Sequence, residues 1–297
     1  MPSLAAHLLD PFLRFQVKRK LKRASDARQL RQVLGRPMPA PRGIRYMEAI
    51  LGVRGEWAEG MASPAAVMTL LYLHGGAYIA CSPRTHRPIT GGFAARHIRV
   101  FAPDYRLAPE HPFPAAVDDG LAAYEALLDL GNPPERLAIA GDSSGGGLAL
   151  AVMLAAKAKG LPMPARCVLF SPWTDLAATG ESLHGNSRRD PMIDGSRISE
   201  GAAAYLNGAD PRDPLASPLY ADLAGLPPML IYAGEREVLL DDSVRLDANM
   251  RKAGVPSQLR VWPVVPHAWP LYQAFLPEGR HALDESAAFI RGAASAG

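Results

Sequence analysis

RLAIAGDSSGGGLALAVMLAAKAKG, residues 136–160, is the stretch whose reading decides the fold. A short apolar run passes without a gap into a glycine-rich turn and then into a long helical pattern. Such a run reads as a strand buried on both faces. The turn at its carboxyl end stands where open parallel sheets bind their ligands. It holds two adjacent serines, Ser143 and Ser144. A sharp strand–turn–helix elbow leaves no room for side chains two residues before and two residues after its nucleophile. Centred on Ser143, those positions are Gly141 and Gly145; centred on Ser144, they are Asp142 and Gly146. Ser143 is therefore the candidate nucleophile. The competing reading, a phosphate cradle, loses ground because the chain has neither GxxxxGK[ST] nor GxGxxG.

The same grammar extends outward. Val67 to Leu73, Ile98 to Ala102, ARCVLFSPW, PPMLIYAGE and SQLRVWPVVPH carry further strands. VDDGLAAYEALLDLG, closed by Gly131, reads as an amphipathic helix, as do stretches near DDSVRLDANMRKAG and LDESAAFIRGA. Alternating apolar runs and helices predict an α/β protein, with a mostly parallel central sheet covered by helices on both faces. Residues 44–297 form its main domain. Residues 1–43 read as a helical arm. Its first helix starts at Asp10–Pro11, cap then first position; its second starts at Ser25–Asp26 and ends at Gly35. The polar, turn-rich segment 184–215 interrupts the alternation and reads as an insertion over the top of the sheet.

Charge and cysteines exclude several classes. A net charge of +3 is too small to imply a nucleic-acid partner. Cys81 and Cys167 lie far apart, outside any CxxC or Cys/His cluster, so neither a disulfide framework nor a metal centre is expected. That usage fits a reducing cytoplasm. No apolar run reaches the roughly 18 residues a membrane span needs, and MPSLAAHLLDPFLRF lacks a basic lead-in, so neither anchor nor signal peptide is expected. The run Lys18, Arg19, Lys20, Lys22, Arg23 suits an anionic surface but reads as a solvated helix face.

LHGGAY, Leu73 to Tyr78, ends an early strand. Its glycines allow backbone amides to approach a ligand, as an oxyanion hole requires, or simply make a turn. His267 stands just past the last apolar run and is the candidate base; His281 is its later rival. Four carboxylates follow PPMLIYAG: Glu235, Glu237, Asp241 and Asp242. Any of them could orient a histidine, and Asp241 or Asp242 could equally cap the following helix.

HGGAY, DYRLAPEHPFPAA (104–116), GDSSGG, AGEREVLLDD and PHAW, in that order, resemble the hormone-sensitive-lipase-like, or bacterial family IV, esterases of the α/β-hydrolase fold. The resemblance runs from about residue 45 to the C-terminus. Two positions depart from its usual pattern: Ala77 stands for a third glycine, and Ser144 for an alanine. The resemblance implies hydrolysis of a small-molecule carboxylic ester by a Ser143–His267–acid triad through an acyl-enzyme. Glu237 occupies the place of the family's aspartate. Gly75, Gly76 and Ser144 would supply oxyanion donors, and His74 would shape the loop. No cofactor is implied. The arm and the 184–215 insertion would form a small helical cap over a pocket for short acyl chains, walled by Tyr78, Trp173, Tyr205 and Leu206. Relatives often form homodimers, although the sequence carries no interface signature. The alternatives are a non-catalytic small-molecule-binding protein of the same fold and a hydrolase of amides, carbamates or lactones. A peptidase is set aside, since the chain is too short to hold a gating propeller.

Overall fold

The computed structural model describes residues 2–61 and 68–292. Val67 of the first buried run, Ala293 of the last helical stretch, Met1 and residues 294–297 lie outside the described residues. The strands are β1 (Ile44–Leu51), β2 (Val53–Gly60), β3 (Met68–Leu73), β4 (Ile98–Pro103), β5 (Leu137–Asp142), β6 (Arg166–Phe170), β7 (Met229–Gly234) and β8 (Ser257–Trp262). They form one sheet in the order β1-β2-β4-β3-β5-β6-β7-β8, in which only β2 runs against its neighbours. The α-helices are α1 (Leu4–Leu13), α2 (Arg19–Arg23), α3 (Ala27–Leu34), α4 (Arg87–Ala94), α5 (Ala115–Asp129), α6 (Ser144–Ala158), α7 (Ser182–Gly185), α8 (Ile198–Leu206), α9 (Leu240–Lys252) and α10 (Pro277–Ile290).

Successive side chains of a strand face opposite ways, so a strand in mid-sheet feeds two cores. In β3, Leu71 and Leu73 join the apolar cluster of α5, α6 and α9, whereas Leu70 and Tyr72 join that of α4 and α10. In β5, Leu137 and Ile139 take the first face, and Ala138 and Ala140 the second. Every residue of β3, β5 and β7 is buried, which is why each reads as an unbroken apolar run. Burying one such leucine contributes roughly 1.5–3 kcal/mol. The sheet therefore holds the carboxyl ends of these strands, and whatever chemistry they carry, in fixed relation.

Two elements escape the sequence reading. The β1–β2 hairpin lies at the sheet edge and is half exposed, so it lacks an apolar run. Helix α4 carries two glycines in eight residues, a composition that reads as a breaker. Seven of those eight residues are buried, and packing outweighs propensity.

The arm needs correction. Its first helix starts at Leu4, where the Ser3 hydroxyl accepts the Ala6 N–H (3.2 Å), and Pro11 lies inside it. Asp10 does not cap: its carboxylate accepts from Arg14 (2.6 Å) and Arg236 (3.3 Å). A single wide turn, Arg14–Lys18, links α1 to α2. The second helix is as expected, capped by Asp26, which accepts the Gln29 N–H (2.8 Å), and closed at Gly35. Nor is the basic run only a solvated face. Lys18 Nζ donates to the carbonyls of Ser187 and Asp190, and Lys22 pairs with Asp194 at 3.1 Å. In return Arg197 donates to the carbonyls of Lys22 and Ala24. Arm and insertion are thus stitched together.

Candidate active site

Strand β5 ends at Asp142 and α6 begins at Ser144; Ser143 stands between them at φ 53°, ψ −127°. That backbone is strained for any residue with a Cβ and persists only where its surroundings enforce it. Here they do. A Cβ at Gly145 would strike the Leu73 carbonyl oxygen, and one at Gly141 the Gly145 carbonyl oxygen. The Ser143 N–H donates to Phe170 O (2.9 Å), while its carbonyl accepts from the amides of Gly146 and Trp173 (2.9 Å each). The serine lines a cavity of about 850 Å³.

His267, 6% exposed, lines the same cavity from the loop after β8. Its Nδ1 lies 2.7 Å from Glu237 Oε2. With a carboxylate on Nδ1, the neutral ring carries its proton there and leaves Nε2 as the basic atom. Nε2 is buried and has no hydrogen-bond partner among the described residues. Glu237 is fully clasped: its Oε1 accepts from Ser171 Oγ (2.7 Å) and the Gly234 amide (2.6 Å). Ser171 Oγ also accepts the Ala268 N–H (3.1 Å), tying the acid's loop to the histidine's. Burial pushes the Glu237 carboxyl up from its ordinary value despite these donors. Burial pulls His267 down, but the bond to Glu237 and the charges of Glu237, Asp190 and Asp142 prevail, and its pKa rises above the ordinary 6.5.

The other carboxylates have different work. Asp241 accepts the Ser182 N–H (2.8 Å). Asp242 accepts the amides of Thr174 (2.7 Å) and Asp175 (2.9 Å), and burial pushes its carboxyl up to about 7. Glu235 is exposed and pairs with Arg189. His281 lies on α10 against Trp262.

The loop after β3 changes one assignment. Gly75 does not offer its amide to the cavity; the N–H donates to Asp142 Oδ1 (3.0 Å). Asp142 also accepts from Tyr72 OH (2.6 Å), with His86 Nε2 3.3 Å from its other oxygen. This buried carboxylate pulls the loop against the elbow. Among the described residues, no hydrogen bond engages the amides of Gly76, Ala77 or Ser144. Gly76 and Ala77 line the cavity beside Ser143, and Ser144 opens α6, where helix geometry leaves its amide without an intrahelical acceptor. Ala77, the residue standing for a third glycine, thus joins Gly76 and Ser144 as a free donor in place of Gly75. His74 stacks on Tyr105 (ring centroids 4.2 Å apart), and burial, aided by His86, pushes its pKa down to about 3. It is a neutral spacer in the loop.

The Ser144 hydroxyl is itself engaged: it accepts the Tyr78 N–H at 3.2 Å and so bolts the Gly76–Tyr78 turn to α6. Ser144→Ala keeps the backbone amide but leaves the Tyr78 N–H unpaired in the interior. One lost hydrogen bond of about 1 kcal/mol corresponds to roughly fivefold in rate. A several-fold fall in kcat with KM little changed is expected in steady-state ester hydrolysis, and an unchanged kcat refutes the bolt.

Of the expected pocket walls, Trp173 lines the cavity. Tyr78, Tyr205 and Leu206 do not: Tyr78 stacks face to face on Tyr205 (3.8 Å), and all three belong to the core. The walls come largely from the arm and the insertion, among them Leu13, Val17, Leu30, Met192, Ile193 and Ile198. Sequence reading also missed the braces Ser171, Asn186 and Asp190. Asn186 Nδ2 donates to the Glu237 carbonyl (2.9 Å), and Asp190 accepts the Val238 N–H (3.0 Å). They act through folded contacts and leave no spacing signal.

A family model for the alpha/beta hydrolase fold matches residues 70–271. An acetyl-hydrolase of Streptomyces hygroscopicus is 47% identical over 230 residues, 77% of each chain. A solved structure of the esterase EstE5 soaked in ethyl alcohol superposes with a TM-score of 0.93 at 41% identity, covering 98% of both chains. A crystal structure of an esterase from the bacterial hormone-sensitive lipase family gives 0.90 at 41%, covering 98% of this chain and 99% of that one.

Proposed function

This chain belongs to the alpha/beta hydrolase fold family, among the bacterial hormone-sensitive-lipase-like esterases, and from that premise we propose that it hydrolyses short-chain carboxylic esters through a Ser143–His267–Glu237 triad. The observation that carries the reading is the 2.7 Å contact of His267 Nδ1 with Glu237, which leaves Nε2 unpartnered on a residue that lines the same cavity as Ser143. His267 Nε2 takes the proton of Ser143 as Oγ bonds to the ester carbonyl carbon. The carbonyl oxygen becomes an oxyanion and meets the amides of Gly76, Ala77 and Ser144, donors fixed before the charge develops. Its collapse breaks the bond to the alcohol, which leaves with the proton from His267. Water, deprotonated by the same nitrogen, then attacks the acyl-enzyme and frees Ser143.

The arm and the 184–215 insertion act as the cap. Their side chains close the cavity, and its apolar walls suit an acyl group. An acetyl-hydrolase among the relatives supports a small one. Turnover of p-nitrophenyl esters from two to sixteen carbons tests this: the maximum is expected at the short end, and a maximum at sixteen carbons overturns it.

The pH profile follows from His267. Only the neutral ring accepts the serine proton, and a pKa raised above 6.5 keeps the ring protonated to higher pH. In a pH series, kcat/KM is expected to rise with pH, reaching half its plateau above pH 6.5. A half-rise well below that value contradicts the proposed coupling to Glu237.

A further inference from the structure

The outer side of the arm is unlike the rest of the surface. Leu4, Leu8, Phe12 and Phe15 are 74%, 64%, 58% and 61% exposed. They recur at helical spacing and form one stripe, while Ala6 and Leu13 on the opposite side are buried in the core. A helix apolar on both sides is normally covered on both, and a contiguous exposed apolar patch marks an interaction surface.

Charge identifies what covers it. Residues 2–25 carry six Lys and Arg against a single acid, Asp10. Asp10 is already held by Arg14 and Arg236, and Lys18 and Lys22 are held by the insertion. Arg19, Lys20 and Arg23, on the turns that follow the stripe, remain exposed, with Arg19 lying over the Phe15 ring. An apolar stripe followed by unpaired cations fits the interface of an anionic bilayer, where the rings enter the acyl boundary and the cations meet headgroups. Of the two acids in a second copy's arm, Asp10 is already held by Arg14 and Arg236, and Asp26 is engaged in capping α3. No helix among the described residues is long and apolar enough to cross a membrane, so the fit is to a surface. The stripe also adjoins the cavity, since Phe12 and Lys20 line it.

We infer that the arm docks the protein onto anionic lipid surfaces through Leu4, Leu8, Phe12 and Phe15 with Arg19, Lys20 and Arg23, placing the rim of the cavity against the lipid. This holds whatever reaction the cavity serves, and binding is measured without turnover. The full chain is mixed with vesicles of phosphatidylcholine alone or with 30% phosphatidylglycerol, and the bound fraction is measured by flotation. Binding is expected only to the anionic vesicles and should weaken as salt rises. Two variants avoid the cavity-lining residues: Leu4→Ser/Leu8→Ser/Phe15→Ser and Arg19→Gln/Arg23→Gln. Each is expected to lower vesicle affinity at least about tenfold, since surface cations contribute about fivefold apiece. Hydrolysis of soluble p-nitrophenyl acetate, or a circular dichroism melt if the chain hydrolyses none, should stay as in the unaltered protein. No binding to either vesicle, or binding that survives both variants, overturns the proposal. So does a dimer in sedimentation that the serine variant dissociates while vesicles bind nothing, which assigns the stripe to a second copy.

Discussion

Ser143→Ala is expected to lower kcat on p-nitrophenyl acetate by about 10⁴-fold or more, since removal of the nucleophile of an acyl-transfer triad leaves only binding and oxyanion stabilisation. The neighbouring hydroxyl cannot substitute. The Ser144 side chain is buried, and its oxygen accepts the Tyr78 N–H. A fluorophosphonate followed by peptide mapping should therefore label residue 143 and leave residue 144 untouched. Alanine also suits the local packing, because the positions that forbid a side chain are Gly141 and Gly145. The variant should fold as the parent does. Retention of more than a few per cent of the turnover ends the assignment of Ser143 as nucleophile, whereas an unaltered protein with no turnover would favour mere binding of a small molecule in the same cavity.

Glu237→Gln is expected to lower kcat by about 10²–10⁴, with KM nearly unchanged. The substitution preserves shape but removes the charge that fixes the His267 tautomer and stabilises imidazolium in the transition state. A second readout separates this from simple loss of structure. Without the carboxylate, only the charges of Asp190 and Asp142 oppose the downward pull of burial on the His267 pKa, so the acid limb of the pH profile should move to lower pH. Glu237→Asp shortens the reach by about 1.5 Å, roughly one methylene, and is expected to recover part of the rate. Asp242→Asn should instead destabilise the fold, because its carboxylate holds the Thr174 and Asp175 amides. If Asp242→Asn shows the triad phenotype while Glu237→Gln is silent, the acid is misassigned.

These expectations differ in how they became visible. The β5–Ser143–α6 elbow was legible because its requirements are local. Buried strands need unbroken apolar runs, and the bend needs glycine at Gly141 and Gly145, so both leave marks in consecutive residues. The resemblance singled out Glu237 among four nearby carboxylates. The structure adds the physical distinction: Glu237 meets His267, while Asp241 and Asp242 bind backbone amides and Glu235 faces solvent. Helix α4 and the β1–β2 hairpin stayed hidden because packing holds the first against its glycines and half exposure blurs the second.

The proposed oxyanion donors mark the limit more sharply. Gly75, Gly76 and Ala77 are consecutive, and nothing in their order says which amide stays free. Asp142, 67 residues away in sequence, takes the Gly75 N–H and thereby leaves the next two. Likewise Tyr78 and Tyr205 have the composition of pocket walls, yet they stack on each other in the core, whereas Leu13 and Val17 of the arm line the cavity.

By itself the sequence determined the layered architecture, the bend that presents Ser143 and the residue types available to act with it, because strand burial and tight-turn sterics are written in neighbouring residues. Only the tertiary structure decided that the Gly75 amide is taken by Asp142, that the imidazole contacts the carboxylate the resemblance singled out, and which side of the arm meets water. Those outcomes depend on hydrogen bonds and packing between residues tens to hundreds of positions apart, and no local pattern encodes them.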